Sequence, residues 1–264
     1  MSDPSQFPKA RAVRQARDLL DARRPEVERL QRRLFLRQSL SVGALAMLGG
    51  CDLGSLSTDN GVDALLHSMS KFNDRVQALL FNPNRLAPTY DASRITKPFP
   101  FNAYYGIEDV PDIDPDTWRL DVSGLVSDRT PWSVRRLRRL PQERQITRLI
   151  CVEGWSAIGQ WSGVPLHVFL RAIGADLTAR YVGFRCADKY YTSLDMATAL
   201  HRQTIMTLDY GGEALSGAYG APMRIRVPTK LGFKNPKYVT ALFVTNTYPG
   251  GYWEDQGYNW FSGS

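Results

Sequence analysis

The strand-like and helix-like stretches of this chain are all short, and they interleave without a regular strand–helix–strand rhythm. A doubly wound parallel sheet needs that rhythm, so the pattern predicts an α+β fold with mixed sheets, short helices and long irregular segments. Trp118, Leu120 and Val122 alternate with Arg119, Asp121 and Ser123, the signature of a half-buried strand, closed by Gly124. Ser133 caps a short helix with Val134, Leu137 and Leu140 inward. Arg135, Arg136, Arg138 and Arg139 share its outer side, a solvated face or a docking patch for an acidic partner. A strand over 146–152 leads into a Gly/Trp-rich loop, and a helix starts at Pro165 and stops near Gly174. Further strands are expected over 181–186, 223–227 and 238–245, and no internal repeat is present.

The net charge of +7 does not describe the body of the protein. Residues 1–50 hold ten Lys/Arg against five acids, a net +5, which leaves +2 for the other 214 residues. A body that close to neutral has no general attraction for a polyanion, so no nucleic-acid partner is expected. Arg32-Arg33-Leu34-Phe35-Leu36-Arg37 has the twin-arginine form, followed by fourteen uncharged residues from Gln38 to Cys51. Spanning a bilayer takes about 20 apolar residues, so this run reads as the core of an export signal. Leu48-Gly49-Gly50-Cys51 resembles a bacterial lipobox, with Cys51 as the acylated residue. The organisation expected is a twin-arginine signal with lipobox over 1–51, a tether and amphipathic helix over 52–85, and a single domain over 86–264. In the second segment Val62, Leu65, Leu66, Met69, Phe72, Val76, Leu79 and Leu80 recur at spacings of three and four. The localisation that follows is the periplasmic side of a bacterial inner membrane, anchored by lipid, or soluble in the periplasm if Cys51 is not acylated.

Several reaction classes lack their residues. There is no G-x-G-x-x-G and no G-x-x-x-x-G-K-[ST], and Gly154-Trp155-Ser156-Ala157-Ile158-Gly159 misses the nucleophile elbow by one residue. His67, His167 and His201 include no i,i+4 pair, so helical zinc-protease chemistry is absent. With Cys51 given to a lipid, Cys151 and Cys186 remain, either as a structural disulfide or with Cys151 as a soft-metal thiolate where a strand meets a loop. Tyr219-Gly220-Ala221-Pro222-Met223-Arg224 and Lys230-Leu231-Gly232-Phe233-Lys234 combine backbone-shaping residues with cations, a phosphate site or a surface turn.

Cys151-Val152-Glu153-Gly154-Trp155-Ser156, Gly163-Val164-Pro165-Leu166, Gly220-Ala221-Pro222-Met223-Arg224 and Gly232-Phe233-Lys234 come in an order and spacing that resembles the sulfite oxidase molybdopterin fold. The likeness is greatest to its bacterial periplasmic methionine-sulfoxide-reducing branch and covers roughly residues 86–245. The resemblance implies a molybdenum-molybdopterin cofactor, with Cys151 as metal ligand and catalytic residue. Asn102, Tyr105, Arg224, Gly232, Phe233 and Lys234 match positions that hold the pterin and its phosphate. Gly106, Cys186 and Tyr219 depart from the family pattern, which has a glutamate, a threonine, and an asparagine or histidine there. The implied function is two-electron oxygen-atom transfer on a small sulfur- or nitrogen-oxide substrate, as sulfoxide reduction or sulfite-type oxidation. Trp155 and Trp161 are candidates for either pocket wall or core. No haem or iron–sulfur motif is present, so a membrane cytochrome or periplasmic electron carrier is the expected redox partner. The alternative reading is a metal-free, membrane-tethered lipoprotein that uses the same fold for binding or scaffolding.

Overall fold

A computed structural model describes residues 69, 72–74 and 76–263. These belong to one compact unit, Leu65–Ser264. The twin-arginine segment, the uncharged run and Cys51 lie outside the described residues.

Among the described residues nine strands form two sheets. β1 (Asp121–Gly124), β4 (Tyr181–Cys186), β5 (Tyr191–Asp195) and β9 (Val239–Thr245) make the first, in the order β1-β9-β4-β5. β1 and β9 run parallel and the other pairs antiparallel, so the sheet is mixed. The second holds β2 (Glu143–Ile150), β3 (Ser156–Pro165), β6 (Ile205–Tyr210) and β7 (Glu213–Ala214) in that order, with β8 (Arg224–Arg226) also on β6, and is antiparallel throughout. Among the described residues the helices after Leu80 are short: α1 (Val134–Leu137), α2 (Leu166–Ala172) and α3 (Met196–Ala199).

The principal core draws on both sheets. Val122, Val182, Phe184, Leu242 and Val244 come from the mixed sheet, and Val164, Met206, Leu208 and Ile225 from the other. The expected alternation holds through β1 and the residues leading into it, where Trp118, Leu120 and Val122 are buried and Gly124 closes the strand at φ 83°. Ser133 caps α1, its Oγ accepting from Arg136 N. Two of the four arginines beyond it are tied internally: Arg136 pairs with Asp128 and covers the Trp132 ring, and Arg138 pairs with Asp209.

The Gly/Trp-rich loop expected after residue 152 is corrected by the structure. Only residues 151–155 turn; from Ser156 the chain is a ten-residue strand whose residues Ser156 to Gly163 pair with β2. Both faces of β3 are buried, so no polar–apolar alternation marks it in sequence. Gly163 is required there, because a Cβ would overlap the Met206 carbonyl oxygen on β6 and come within 2.7 Å of Thr207 Cα. Residues 81–111 run as expected, irregular apart from short 3₁₀ turns and a bridge between Thr89 and Thr147. Met69, Phe72, Val76, Leu79 and Leu80 are helical, as their spacing predicts.

Candidate active site

Cys151 is presented by the turn of the β2–β3 hairpin. Ile150 pairs with Ser156, Cys151 N donates to Trp155 O at 2.9 Å, and Gly154 takes φ 93°, a conformation that suits a glycine. The turn holds Cys151 half-buried with its Sγ 3.7 Å from Glu153 Oε2, which also accepts from Trp155 Nε1 at 2.9 Å. Burial pushes the Cys151 thiol pKa up, and the Glu153 carboxylate adds to the shift.

The cavity in front of Cys151 has three further walls. On one side Gly232, Phe233, Asn235, Pro236 and Lys237 line it. Gly232 leaves the approach to Cys151 open: a Cβ would stand 3.3 Å from Leu149 Cδ2 and 3.6 Å from Cys151 Cα. Tyr190 OH donates to Phe233 O at 2.7 Å and fixes this segment to β5's leading edge. Asn235 Oδ1 accepts from Arg226 Nη1 and Val227 N, both at 2.7 Å. Lys237 Nζ donates to Ala218 O at 3.2 Å and sits 4.3 Å from the Phe101 ring centroid. Burial, with the Arg224 charge beside it, lowers its pKa to about 7. Asn102, Ala103 and Tyr104 form a second wall, where Tyr104 stacks on Tyr252 at 5.0 Å and donates to Asp188 O at 2.8 Å. Asp188 and Trp253 complete the lining. Lys189 (φ 67°) and Tyr238 (φ 53°), next to Asp188 and Lys237, are non-glycine residues in the left-handed region, a strain that accumulates at binding sites.

Of the residues expected from sequence, Cys151, Asn102, Gly232 and Phe233 line this cavity together. Tyr105 stands beside it, its hydroxyl donating to Asp188 Oδ2 at 2.8 Å. Arg224 and Lys234 are not on its surface. Arg224 is 1% exposed, donates to Tyr219 O and Asn235 O, and lies over the Trp161 ring; its Nε has no partner. Lys234 is 1% exposed and paired at 2.5 Å with Glu254. The cation facing the cavity is Lys237, which sequence reasoning missed together with Asp188, Asn235 and Trp253. The Lys234-Asn235-Pro236-Lys237 run carried the signal, since a proline turn between two lysines leaves room for either to face inward.

Two open alternatives are resolved. Cys151 and Cys186 are both free, so the disulfide reading is wrong. Trp161 is wholly buried and packs on Phe99 and Tyr210, so it belongs to the core. Cys51 lies outside the described residues.

The arrangement suits a cofactor that brings its own metal ligands. Among the described residues no cluster of three or more His, Cys, Asp or Glu could cage a metal. One thiol of soft-ligand character faces a cavity with a near-neutral lysine and side-chain-free backbone at Gly232, a donor set matched to one soft metal and an anionic organic group.

Comparison with known proteins agrees. Residues 107–253 match the family described as "Oxidoreductase molybdopterin binding domain". The chain is 60% identical over 238 residues, 90% of each protein, to "Putative protein-methionine-sulfoxide reductase subunit YedZ1" of Azospira oryzae. It is 33% identical over 155 residues to "Protein-methionine-sulfoxide reductase catalytic subunit MsrP" of Ralstonia nicotianae, covering 53% of this chain and 47% of that one. Among solved structures, sulfane dehydrogenase SoxCD from Paracoccus pantotrophus aligns with a TM-score of 0.49 and 21% identity over 52% of this chain and 40% of that one. The chain therefore belongs to the molybdopterin-binding oxidoreductases of the sulfite oxidase family: it is an oxidoreductase with an α+β fold, and its cofactor is molybdenum-molybdopterin.

Proposed function

We propose that the chain reduces methionine sulfoxide, with the Cys151 thiolate as the protein ligand of molybdenum. The observation that carries this is the free, half-buried Cys151 at a cavity whose facing wall holds Gly232 and Lys237. The substrate class follows the names of the two relatives. When bound, the cofactor supplies two-electron oxygen-atom transfer, by which a sulfoxide, two electrons and two protons become a thioether and water.

The chain's own residues bind and orient. Glu153 Oε2, held by Trp155 Nε1, accepts the Sγ–H and marks where the thiol proton departs as a metal binds. Lys237 Nζ offers positive charge to the anionic part of the cofactor, and such a neighbour draws its pKa back upward. Asn102 supplies a neutral amide donor and acceptor opposite it. Tyr104 and Trp253 exclude water and give a substrate's sulfur and methyl group an aromatic surface. Arg224 and Lys234 act from behind, as positioning residues for the 232–237 segment.

Electrons arrive from a separate membrane cytochrome or periplasmic carrier, docking on the exposed Arg135 and Arg139. The chain is exported by the twin-arginine route and anchored through an acylated Cys51; a Cys51→Ser chain is then released from membranes by a high-salt wash that leaves the acylated chain bound. The central test is elemental analysis of chain purified from a host that makes molybdopterin. About one molybdenum per chain, lost in Cys151→Ala together with sulfoxide reduction, is the expected result. Metal retained in full by Cys151→Ala sinks the ligand assignment.

A further inference from the structure

A second face of the molecule is built the wrong way round for a water-soluble surface. In the helix that ends at Leu80, Asp74 and Gln77 turn toward the protein: Asp74 accepts from Phe261 N at 2.7 Å and Gln77 from Gly263 N at 3.3 Å. Phe72, Leu79 and Leu80 point away, at 65%, 85% and 77% exposure, with Met69 and Val76 also exposed. A surface helix of a soluble domain does the opposite. Beneath its last turn opens a cavity of about 640 Å³, larger than the roughly 170 Å³ in front of Cys151. Leu80, Phe81, Leu86 and Phe261 give it apolar walls, and Arg85 and Arg148 stand at its edge. Arg94 and Arg148 flank the Tyr90 ring, also in the lining. Arg85, Arg94 and Arg148 are exposed and none is in an ion pair among the described residues.

We propose that this face rests on an anionic phospholipid surface, with the apolar side of the helix in the boundary between headgroups and acyl chains and the three arginines among the headgroups. Apolar side chains flanked by unpaired arginines are the chemistry of an interfacial helix. The chain before it agrees: Cys51, which ends an uncharged run, stands eighteen residues ahead of Met69. A tether of that length reaches at most ~65 Å, so the helix stays within range of any surface to which the run is bound. The proposal does not require Cys51 to be acylated. It also goes beyond the reductase reading, because it concerns a different face and stands or falls without activity.

The test is vesicle flotation of the full chain carrying Cys51→Ser, so that no acyl anchor contributes. The chain is expected to float with vesicles of phosphatidylcholine mixed with phosphatidylglycerol, and less with phosphatidylcholine alone. L79Q/L80Q lowers the partition at least about tenfold on both. R85Q/R94Q/R148Q lowers it about fivefold per arginine on the mixed vesicles only. All five side chains are exposed, so the thermal midpoint should not move; Phe72→Gln gives a second reading of the same face if L79Q/L80Q melts early. A parent chain that does not float, or an L79Q/L80Q chain that floats as the parent does, overturns the proposal. So does an L79Q/L80Q chain that floats unchanged yet no longer takes electrons from membranes, which would assign the face to a protein partner.

Discussion

Lys230 shows how much charge this fold keeps out of water. The residue is 2% exposed, and its ammonium stands 2.9 Å from the Phe261 ring centroid and 3.8 Å from Asp195 Oδ2 and makes no hydrogen bond. Burial lowers its pKa to about 7, as it does for Lys237. An unfolded lysine titrates near 10.4, so between about pH 7 and 10 the unfolded chain binds more protons than the folded one. Stability must then rise with pH in that window, by up to about 1.4 kcal/mol per pH unit for each such lysine. Cys186 opposes this from about pH 8.5, because burial holds its thiol pKa well above the ordinary value and the folded state keeps that proton longer. The clean interval is therefore about pH 7 to 8.5. Thermal melts across it should show the cofactor-free chain gaining stability, and Lys230→Met should flatten the rise. Equal slopes in parent and variant would mean Lys230 stays charged throughout. None of this was legible in sequence, where Lys230, Lys234 and Lys237 look alike; their differences come from which rings and carboxylates the tertiary fold brings over each.

At the scale of elements, legibility followed the faces. β4 over Tyr181–Cys186 matched its expected bounds, and β9 began one residue later than expected. α1 and α2 carried caps and stops that could be read directly, Ser133 for one and Pro165 for the other. β3 did not, because Gly159, Gly163 and Trp161 look like a loop until β2 and β6 are placed on either side. β5 and β6 were missed for the same reason: their residues are buried on both faces. The glycine that disguised β3 is what allows it. Gly163 lies at the register shift where β3 meets β6, and a side chain there would collide with backbone, which cannot swing aside as a side chain can. Gly163→Ala should cost about 2–3 kcal/mol, seen as a lower midpoint in urea with an unchanged slope. Gly154→Ala, on the open turn of the same hairpin with nothing within 4 Å, carries only the penalty of φ 93° and should cost about 1 kcal/mol. If the two variants melt alike, the close approach at Gly163 is not what sets the pairing.

The whole molecule is closed by its C-terminal segment, which joins the apolar-faced helix, β5 and the cavity wall. Phe261 N binds Asp74, Trp260 Nε1 donates to Ser193 Oγ at 2.9 Å, and Ser193 Oγ donates to Gly250 O at 2.7 Å. At the centre Glu254 Oε1 accepts from Lys234 Nζ at 2.5 Å and from Thr192 Oγ1 at 2.8 Å, with both charged side chains only 1% exposed. That pair connects the 3₁₀ turn Gly232–Lys234 to the residue next to Trp253, so two walls of the Cys151 cavity share one buried ionic contact. Lys234 was expected at the cofactor from sequence; the structure places it behind the wall, paired with Glu254, a position that charge patterning cannot reveal. Taking two charges out of water costs nearly what their attraction returns, so the contact specifies geometry more than it adds stability. The consequence is an asymmetry between single and double substitutions. Glu254→Ala leaves the ammonium of Lys234 buried without its carboxylate and should cost about 3–5 kcal/mol. K234M/E254L, which replaces both with apolar groups of similar volume, should recover most of that loss in equilibrium denaturation. It should still bind the molybdenum cofactor less firmly, because the two walls are no longer held in register. A double variant as unstable as Glu254→Ala would show that the segment depends on Glu254 through Thr192 rather than through Lys234.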